Sequence, residues 1–233
     1  MPSARRAKGR RCRGTDAVSE ASARIGPNAV TRLAEALRAA RGEPIATAVF
    51  GRAGLAHRLA VPPQRMVPED EVRALHAALR ATLPPADAAT IAADAGRRTA
   101  DYLLAHRIPR VMRILLPRLP ERLAARILLA AIGRHAWTFA GSGRFAVQWG
   151  RPIRFAIADN PMARGQAADR PACDYCAATF QGLFRALVHP ATAVTETACE
   201  AMGSPSCLFE IRWPGRSGPA DGRRPDRGSP SAA

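Results

Sequence analysis

Four of the chain's five cysteines, Cys173, Cys176, Cys199 and Cys207, fall within 35 positions, and Glu196 stands three residues before Cys199. The pattern is Cys-x-x-Cys, then Glu-x-x-Cys followed by Cys207 after seven residues. Thiolates and a carboxylate are donors that a tetrahedral zinc site uses, and such a metal ties together loops distant in sequence. Gly203-Ser-Pro205-Ser supplies a turn between the last two cysteines, able to bring both sulfurs inward. An isolated cysteine is usually a small buried hydrophobe; four clustered beside turns point instead to a bound metal. An iron–sulfur cluster is the alternative, because four cysteines suffice for one. The spacing matches no ferredoxin run, so zinc leads.

Other chemistry is harder to find. Gly141-Ser-Gly143 starts like a dinucleotide-binding loop but lacks the third glycine and precedes a strand pattern rather than a helix, so it reads as a hairpin turn. There is no Walker sequence, no His-Glu-x-x-His motif and no serine–histidine–aspartate order. Among five histidines, His135 lies beside an aromatic-rich segment, while His76 and His106 read as helix-surface residues.

The elements that must position these residues change character along the chain. Residues 1–23 and 214–233 are rich in Gly, Pro, Ser and Arg and read as tails, the first strongly basic. Between them, Val30, Leu33, Ala34 and Leu37 share one helical face in a segment that opens at Pro27-Asn28 and stops at Gly42. A second helix runs from about Glu69, its acidic first turn suiting the helix dipole, to Pro84-Pro85. Further helices are expected from Asp87 to His106 and from Glu121 to Ile132. After Gly133 the texture becomes β: Trp137-Thr-Phe139 and Phe145 to Trp149 as a hairpin, then Ile153 to Ile157. A helix from Tyr175 to Val188 follows, then strands over 193–197 and 208–213. Helices first, then an antiparallel sheet with one helix between its strands, make an α+β domain.

The net charge is +16, of which +4 lies in residues 1–23 and +2 in 214–233, leaving +10 on the body. Lys8 is the one lysine, so much of the arginine excess reflects a GC-rich coding bias. A basic body attracts anions. The arginines are scattered and no helix-turn-helix or finger pattern is present, which argues against nucleic acid. No run approaches the apolar length of a membrane span, and the N-terminus lacks a signal-peptide core. The expectation is a cytoplasmic protein, at most touching a membrane surface, with cysteines free of disulfides.

Cys173-Asp-Tyr-Cys176, Gln181-Gly182-Leu-Phe184, Glu196-Thr-Ala-Cys199-Glu-Ala-Met-Gly203 and Cys207-Leu-Phe-Glu-Ile211 resemble the 4-vinyl reductase domain. That domain occurs in bacteriochlorophyll 4-vinyl reductase proteins of phototrophic bacteria, in aromatic-hydrocarbon sensor modules and in vesicle-tethering subunits. Trp137-Thr-Phe139, Gly143-Arg-Phe145 and Ile25-Gly26-Pro27-Asn28 are similar to the reductase branch. The resemblance covers about residues 24–213, with its C-terminal motif over about 135–213. It implies zinc on Cys173, Glu196, Cys199 and Cys207, with Cys176 spare or standing in for Cys173. It further implies an apolar pocket lined by residues such as Trp137, Phe139, Phe155, Tyr175 and Phe180. A magnesium tetrapyrrole of the divinyl chlorophyllide kind is the implied ligand, with His135 a candidate axial ligand. The implied role is reduction of its vinyl group; the alternative is a non-catalytic carrier assisting other enzymes of the pathway. Reduction needs an outside electron donor such as NADPH or ferredoxin. The resemblance is also compatible with a homodimer.

Overall fold

A computed structural model of the protein describes residues 23–214. The tails expected at 1–23 and 214–233 lie outside the described residues, apart from Ala23 and Pro214.

Proline punctuates the helical half. Helices α3 (Glu69–Thr82), α4 (Pro85–His106), α5 (Arg110–Leu115) and α6 (Glu121–Arg134) each begin just after a proline whose ψ is extended: Pro68, Pro84, Pro109 and Pro120. Proline's fixed φ suits this entry, and its missing N–H would have no partner there. Helix α1 (Asn28–Arg52) passes through a break at Gly42, whose φ of +77° is left-handed, and resumes around Pro44. The expected stop at Gly42 is therefore a kink, beyond which Ala46, Val49 and Phe50 add to the core. Two further elements escaped the pattern reading: α2 (Ala56–Ala60) and the strand pair β1 (Arg24–Ile25) with β2 (Val67–Pro68).

The expected strand at Trp137 is a correction. Residues Trp137–Ala140 form a helical turn, α7, that continues from the end of α6; Thr138 N–H donates to His135 O and Ala140 N–H to Ala136 O. The alternation of Trp, Thr and Phe mimics a strand, but the capture of these amides by the preceding turn decides the outcome. Gly141-Ser-Gly143 is consequently no hairpin turn. Gly141 has φ +59°, and a Cβ there would lie 2.1 Å from Glu69 Oε2. Ser142 donates from both N and Oγ to that carboxylate, at 2.8 and 2.7 Å, and Arg164 pairs with it at 2.7 Å. Burial works against the charge of Glu69, but these donors outweigh it and hold the carboxyl below its usual range.

The sheet has order β3 (Arg144–Gln148), β4 (Ile153–Ala158), β6 (Cys207–Arg212), β5 (Ala193–Ala198), antiparallel throughout. Its hairpin partner for β3 is β4. Register sets Val147, Phe155, Phe209 and Glu196 in one row across the inner face, and Phe145, Ile157 and Cys207 in the next. Helix α8 (Asp174–Leu187) lies over this face: the Phe180 ring stacks on Phe155 at 4.1 Å, and Phe155 stacks on Phe209 at 4.7 Å. Helix α4 crosses α8 closely, because Gly96 meets Tyr175 O and Gly182 meets Ala100, where a Cβ would sit at 2.4 and 2.6 Å. Helices α1 and α3 complete the layer behind. Helices packed on one face of an antiparallel sheet make the α+β architecture. Among the described residues, no helix is long and apolar enough to cross a membrane.

Candidate metal centre

Four segments converge at the β5–β6 end of the inner face. Cys173 stands just before α8, Glu196 points inward from β5, Cys199 follows β5, and Cys207 opens β6. The β5–β6 register slips between Glu196 and Ala198, and such a bulge re-aims the side chains that follow it. The chain then reverses through a 3₁₀ turn at Glu200–Met202 and a left-handed Gly203 with φ +85°. Met202 and Ser204 N–H groups both donate to Cys199 O, at 3.0 and 3.2 Å, which holds the turn.

One ligand atom from each of Cys173, Glu196, Cys199 and Cys207 lies within 4.8 Å of all the others, and all four side chains are buried. The Cys173 and Cys207 sulfurs are 3.5 Å apart and those of Cys199 and Cys207 3.8 Å. Bonded sulfurs would be about 2.05 Å apart, so these are not disulfides. A tetrahedron with metal–sulfur bonds of about 2.3 Å has sulfur–sulfur edges of about 3.8 Å, which the observed separations match. Glu196 Oε2 accepts from Cys173 N–H at 2.8 Å, while Oε1 is buried without a partner. An orphaned carboxylate oxygen beside three sulfurs is what a cation would satisfy. The donor set therefore fits a metal.

The electrostatics agree. Hydrogen bonding among the thiols raises Cys173, while the same bonds from Cys173 and Cys207, with the Ala172 N–H, stabilise the Cys199 thiolate and lower its pKa. Burial, and then the charge at Cys199, pushes Glu196 up to about 8. Without a cation the pocket thus holds little more than one negative charge; a divalent ion would release the remaining protons. Around the donors, Asn160 Nδ2 donates to Cys173 Sγ at 3.3 Å, and Asn160 Oδ1 accepts from Met162 N–H at 3.1 Å. Arg80 of α3 also feels the site: burial lowers its pKa, offset by the negative charge at Cys173 and Cys199. Its Nη2 donates to Met162 O at 2.9 Å. Neither Asn160 nor Arg80 was singled out by sequence. Arg80 lies one helical turn past His76 on a stripe of α3 that also carries Val72 and Leu79, which was the available signal.

Cys176 stays out of the cluster. It is buried, 3.7 Å from Met162 Sδ, and burial pushes its thiol up to about 12.

The aromatic candidates divide. Phe155 and Phe180 are core residues stacked on one another; Phe139 meets Phe180 and Phe145 edge-on, each at 5.7 Å. These rings fill one another's space. Tyr175 sits apart in the α4–α8 contact, its hydroxyl 2.8 Å from Thr99 Oγ1 and its ring edge-on to His76. His76 is a further correction: it is 1% exposed, on the same buried stripe as Val72, Leu75 and Leu79. His106 is exposed and lies against the Tyr102 ring. Trp137 is 57% exposed, and His135 is exposed with Nδ1 2.9 Å from Ala131 O. A cleft of about 170 Å³ runs beside the metal cluster, lined by Leu79, Arg80, Ala88, Ala92, Ala172 and Asp174. That is smaller than the 300–1,000 Å³ typical of ligand pockets.

Comparison with known proteins sets this centre in a family. The 4-vinyl reductase domain matches residues 153–213, which carry all four donors. The bacteriochlorophyll synthase 23 kDa chain of Cereibacter sphaeroides is 46% identical over 193 residues, covering 83% of this chain and 92% of that one. The corresponding chain of Rhodobacter capsulatus is 42% identical over 195 residues, covering 83% and 89%. A solved structure from a study of heme distortion in the H-NOX family aligns with a TM-score of 0.48 at 14% identity, over 82% of this chain and 96% of that one. With two relatives matching nearly from end to end and the matched domain holding the cysteine–glutamate centre, the chain belongs to the 4-vinyl reductase domain family of the bacteriochlorophyll synthase 23 kDa chain.

Proposed function

We propose that this chain serves bacteriochlorophyll biosynthesis as a zinc-stapled subunit that binds a divinyl chlorophyllide-like magnesium tetrapyrrole and takes part in reduction of its vinyl group. The observation that carries the pathway assignment is the 46% identity, along 83% of the chain, to a protein named as a chain of bacteriochlorophyll synthase.

The geometry bears on which part it plays. Three sulfurs and one carboxylate complete a tetrahedral shell, and a shell closed by protein donors is that of a structural zinc, whereas catalytic sites keep one position open. Three thiolates with a carboxylate also suit one ion better than an iron–sulfur cluster with four cysteine ligands. The centre then fixes α8 against β5 and β6 and so shapes the surface that meets the ligand. Vinyl reduction adds a hydride and a proton to a carbon–carbon double bond, chemistry that side chains do not supply; NADPH, reduced ferredoxin or a partner enzyme must. The reading favoured is a pigment-presenting subunit acting with another enzyme of the pathway; the second reading is a reductase acting with an external donor.

Docking of the flat ring is proposed at the outer end of the aromatic stack. There Phe139 and Phe145 are half-buried, with the exposed Trp137 on the same turn as Phe139. His135 supports this choice. A carbonyl oxygen can only accept, so Nδ1 must donate to Ala131 O, leaving Nε2 of the neutral ring to offer its lone pair to magnesium. Phe155 and Phe180 back the platform from within.

The test is an absorption titration of purified protein with divinyl chlorophyllide, followed by addition of NADPH or reduced ferredoxin. The presenting role expects a shifted pigment band, weakened in His135→Ala and Trp137→Ala, with no conversion of vinyl to ethyl. Clean conversion by the chain alone would overturn it in favour of the enzyme, and absence of pigment binding would overturn both readings.

A further inference from the structure

The region from Arg107 to Arg134 differs electrostatically from the rest of the described surface. It carries seven arginines, at 107, 110, 113, 118, 122, 126 and 134, all exposed, and a single acid, Glu121. None of the seven is ion-paired with a carboxylate among the described residues, whereas Arg38, Arg58, Arg98 and Arg154 elsewhere all are. Unpaired like charges on neighbouring turns repel one another, an arrangement relieved by an anionic partner.

Apolar side chains are interleaved with these charges. Helix α5 buries no residue at all; Val111, Ile114 and Leu115, at helical spacing on one face, are 47–58% exposed. Helix α6 turns Ala124, Ala125, Leu128 and Leu129 inward, leaving Leu123 and Ile127 exposed beside Arg122 and Arg126. The β3–β4 loop adds Trp149, 51% exposed, with the Arg126 guanidinium 5.3 Å above its ring. Arg122, Arg126 and Trp149 line an open hollow of about 170 Å³.

We infer that the α5–α6 arm and the Trp149 loop form a docking surface for an anionic phospholipid bilayer. The arginines would meet lipid phosphates, with Arg122 and Arg126 converging on one hollow. Val111, Ile114, Leu115 and Trp149 would enter the headgroup boundary, where amphipathic helices and tryptophan rings partition. Charge complementarity selects this occupant: an apolar partner surface would leave seven cations unpaired, while an anionic bilayer supplies both a negative surface and apolar depth. The contact is peripheral, since no described helix spans a membrane.

The experiment is vesicle co-flotation of the full chain with phosphatidylcholine vesicles and with vesicles containing about one quarter phosphatidylglycerol. Expected is binding to the anionic vesicles, weakening steeply with salt. Each arginine near an anionic surface contributes about a fivefold factor. Arg122→Gln with Arg126→Gln should therefore weaken binding about 25-fold, and Val111→Ser with Ile114→Ser should also weaken it; circular dichroism checks that both fold. Arg52→Gln with Arg65→Gln removes the same charge from exposed positions outside the arm and should change binding less than twofold. Failure to bind anionic vesicles would overturn the inference, as would equal weakening by the two arginine pairs. Light scattering that shows a dimer dissociated by the arm variants would assign the surface to a second copy and also overturn it.

Discussion

Replacing Glu196 by Gln should have opposite effects with and without metal, which a packing effect would not produce. In the metal-free protein the buried carboxyl titrates at about 8, against 4.5 when solvated. A folded-state pKa above the unfolded one contributes stability that is whole below 4.5 and lost as pH rises through 8. At pH 7 nearly all of that loss has occurred: the folded state must take up a proton that the unfolded chain does not hold, costing roughly 3 kcal/mol. Glutamine does not ionise, and its carbonyl keeps the bond from Cys173 N–H. Its amide nitrogen would sit where Oε1 has no partner, returning about 1–2 kcal/mol of that gain. The metal-free variant should then be more stable than the wild type by about 1–2 kcal/mol, or about 2–8 °C in Tm for a domain of this size. Loss of even a supporting group weakens metal affinity about 10–100-fold, so loss of a ligand's charge should remove at least about 1.4–2.7 kcal/mol of metal-induced stabilisation. The rise in Tm on adding zinc should shrink by about 3–11 °C. Thermal unfolding at pH 7, after chelation and with zinc restored, measures both quantities. A chelated variant less stable than the wild type, or an unchanged zinc increment, would refute the reasoning.

Other perturbations probe the frame around the centre. Burial, reinforced by Arg80, holds His76 at about 3, so below pH 6.5 the unfolded chain binds a proton the folded state refuses; stability should fall by roughly 2 kcal/mol from pH 7 to pH 5. His76→Phe should remove that component in urea unfolding at the two pH values, and an unchanged slope would clear His76 of it. Gly96→Ala forces a Cβ to 2.4 Å from Tyr175 O, an overpacking cost of about 1–3 kcal/mol against a helix-propensity gain of about 1 kcal/mol. It should lower Tm, whereas Gly51→Ala, with nothing within 4 Å, should raise it; shifts of the same sign would count against the close α4–α8 crossing.

The two periodicities made most of this fold legible. Val72, Leu75 and Leu79 announced α3, and the alternation of Ile153, Phe155 and Ile157 announced β4, because burial on one face imposes those spacings. His76 belonged to the same stripe and was misread by residue type, since a neutral imidazole edge-on to Tyr175 can be buried like an aromatic. Trp137–Ala140 failed for a different reason. Its strand-like alternation was overridden by backbone hydrogen bonds from the end of α6, and by Gly26 N–H donating to Thr138 O. Helix α5 buries nothing, so no apolar face facing a core could reveal it. At the site, spacing and residue type pointed to Cys173, Glu196, Cys199 and Cys207. Asn160 and Arg80 act through long-range proximity, 13 residues away for the Asn160–Cys173 bond and 82 for the Arg80–Met162 bond. Such pairings have no local signature. Nor could residue type tell that Phe155 and Phe180 fill each other's space rather than line a chamber.

The central claim is that one divalent ion is held by three sulfurs and one carboxylate. Zinc K-edge X-ray absorption on the purified full chain, with metal content measured on the same sample, tests it most directly. The account predicts about one zinc per chain, with three sulfurs at about 2.3 Å and one oxygen at about 2.0–2.2 Å. A shell of four sulfurs, a shell without sulfur, an iron–sulfur spectrum or metal-free protein that unfolds no earlier than the zinc-loaded form would contradict it.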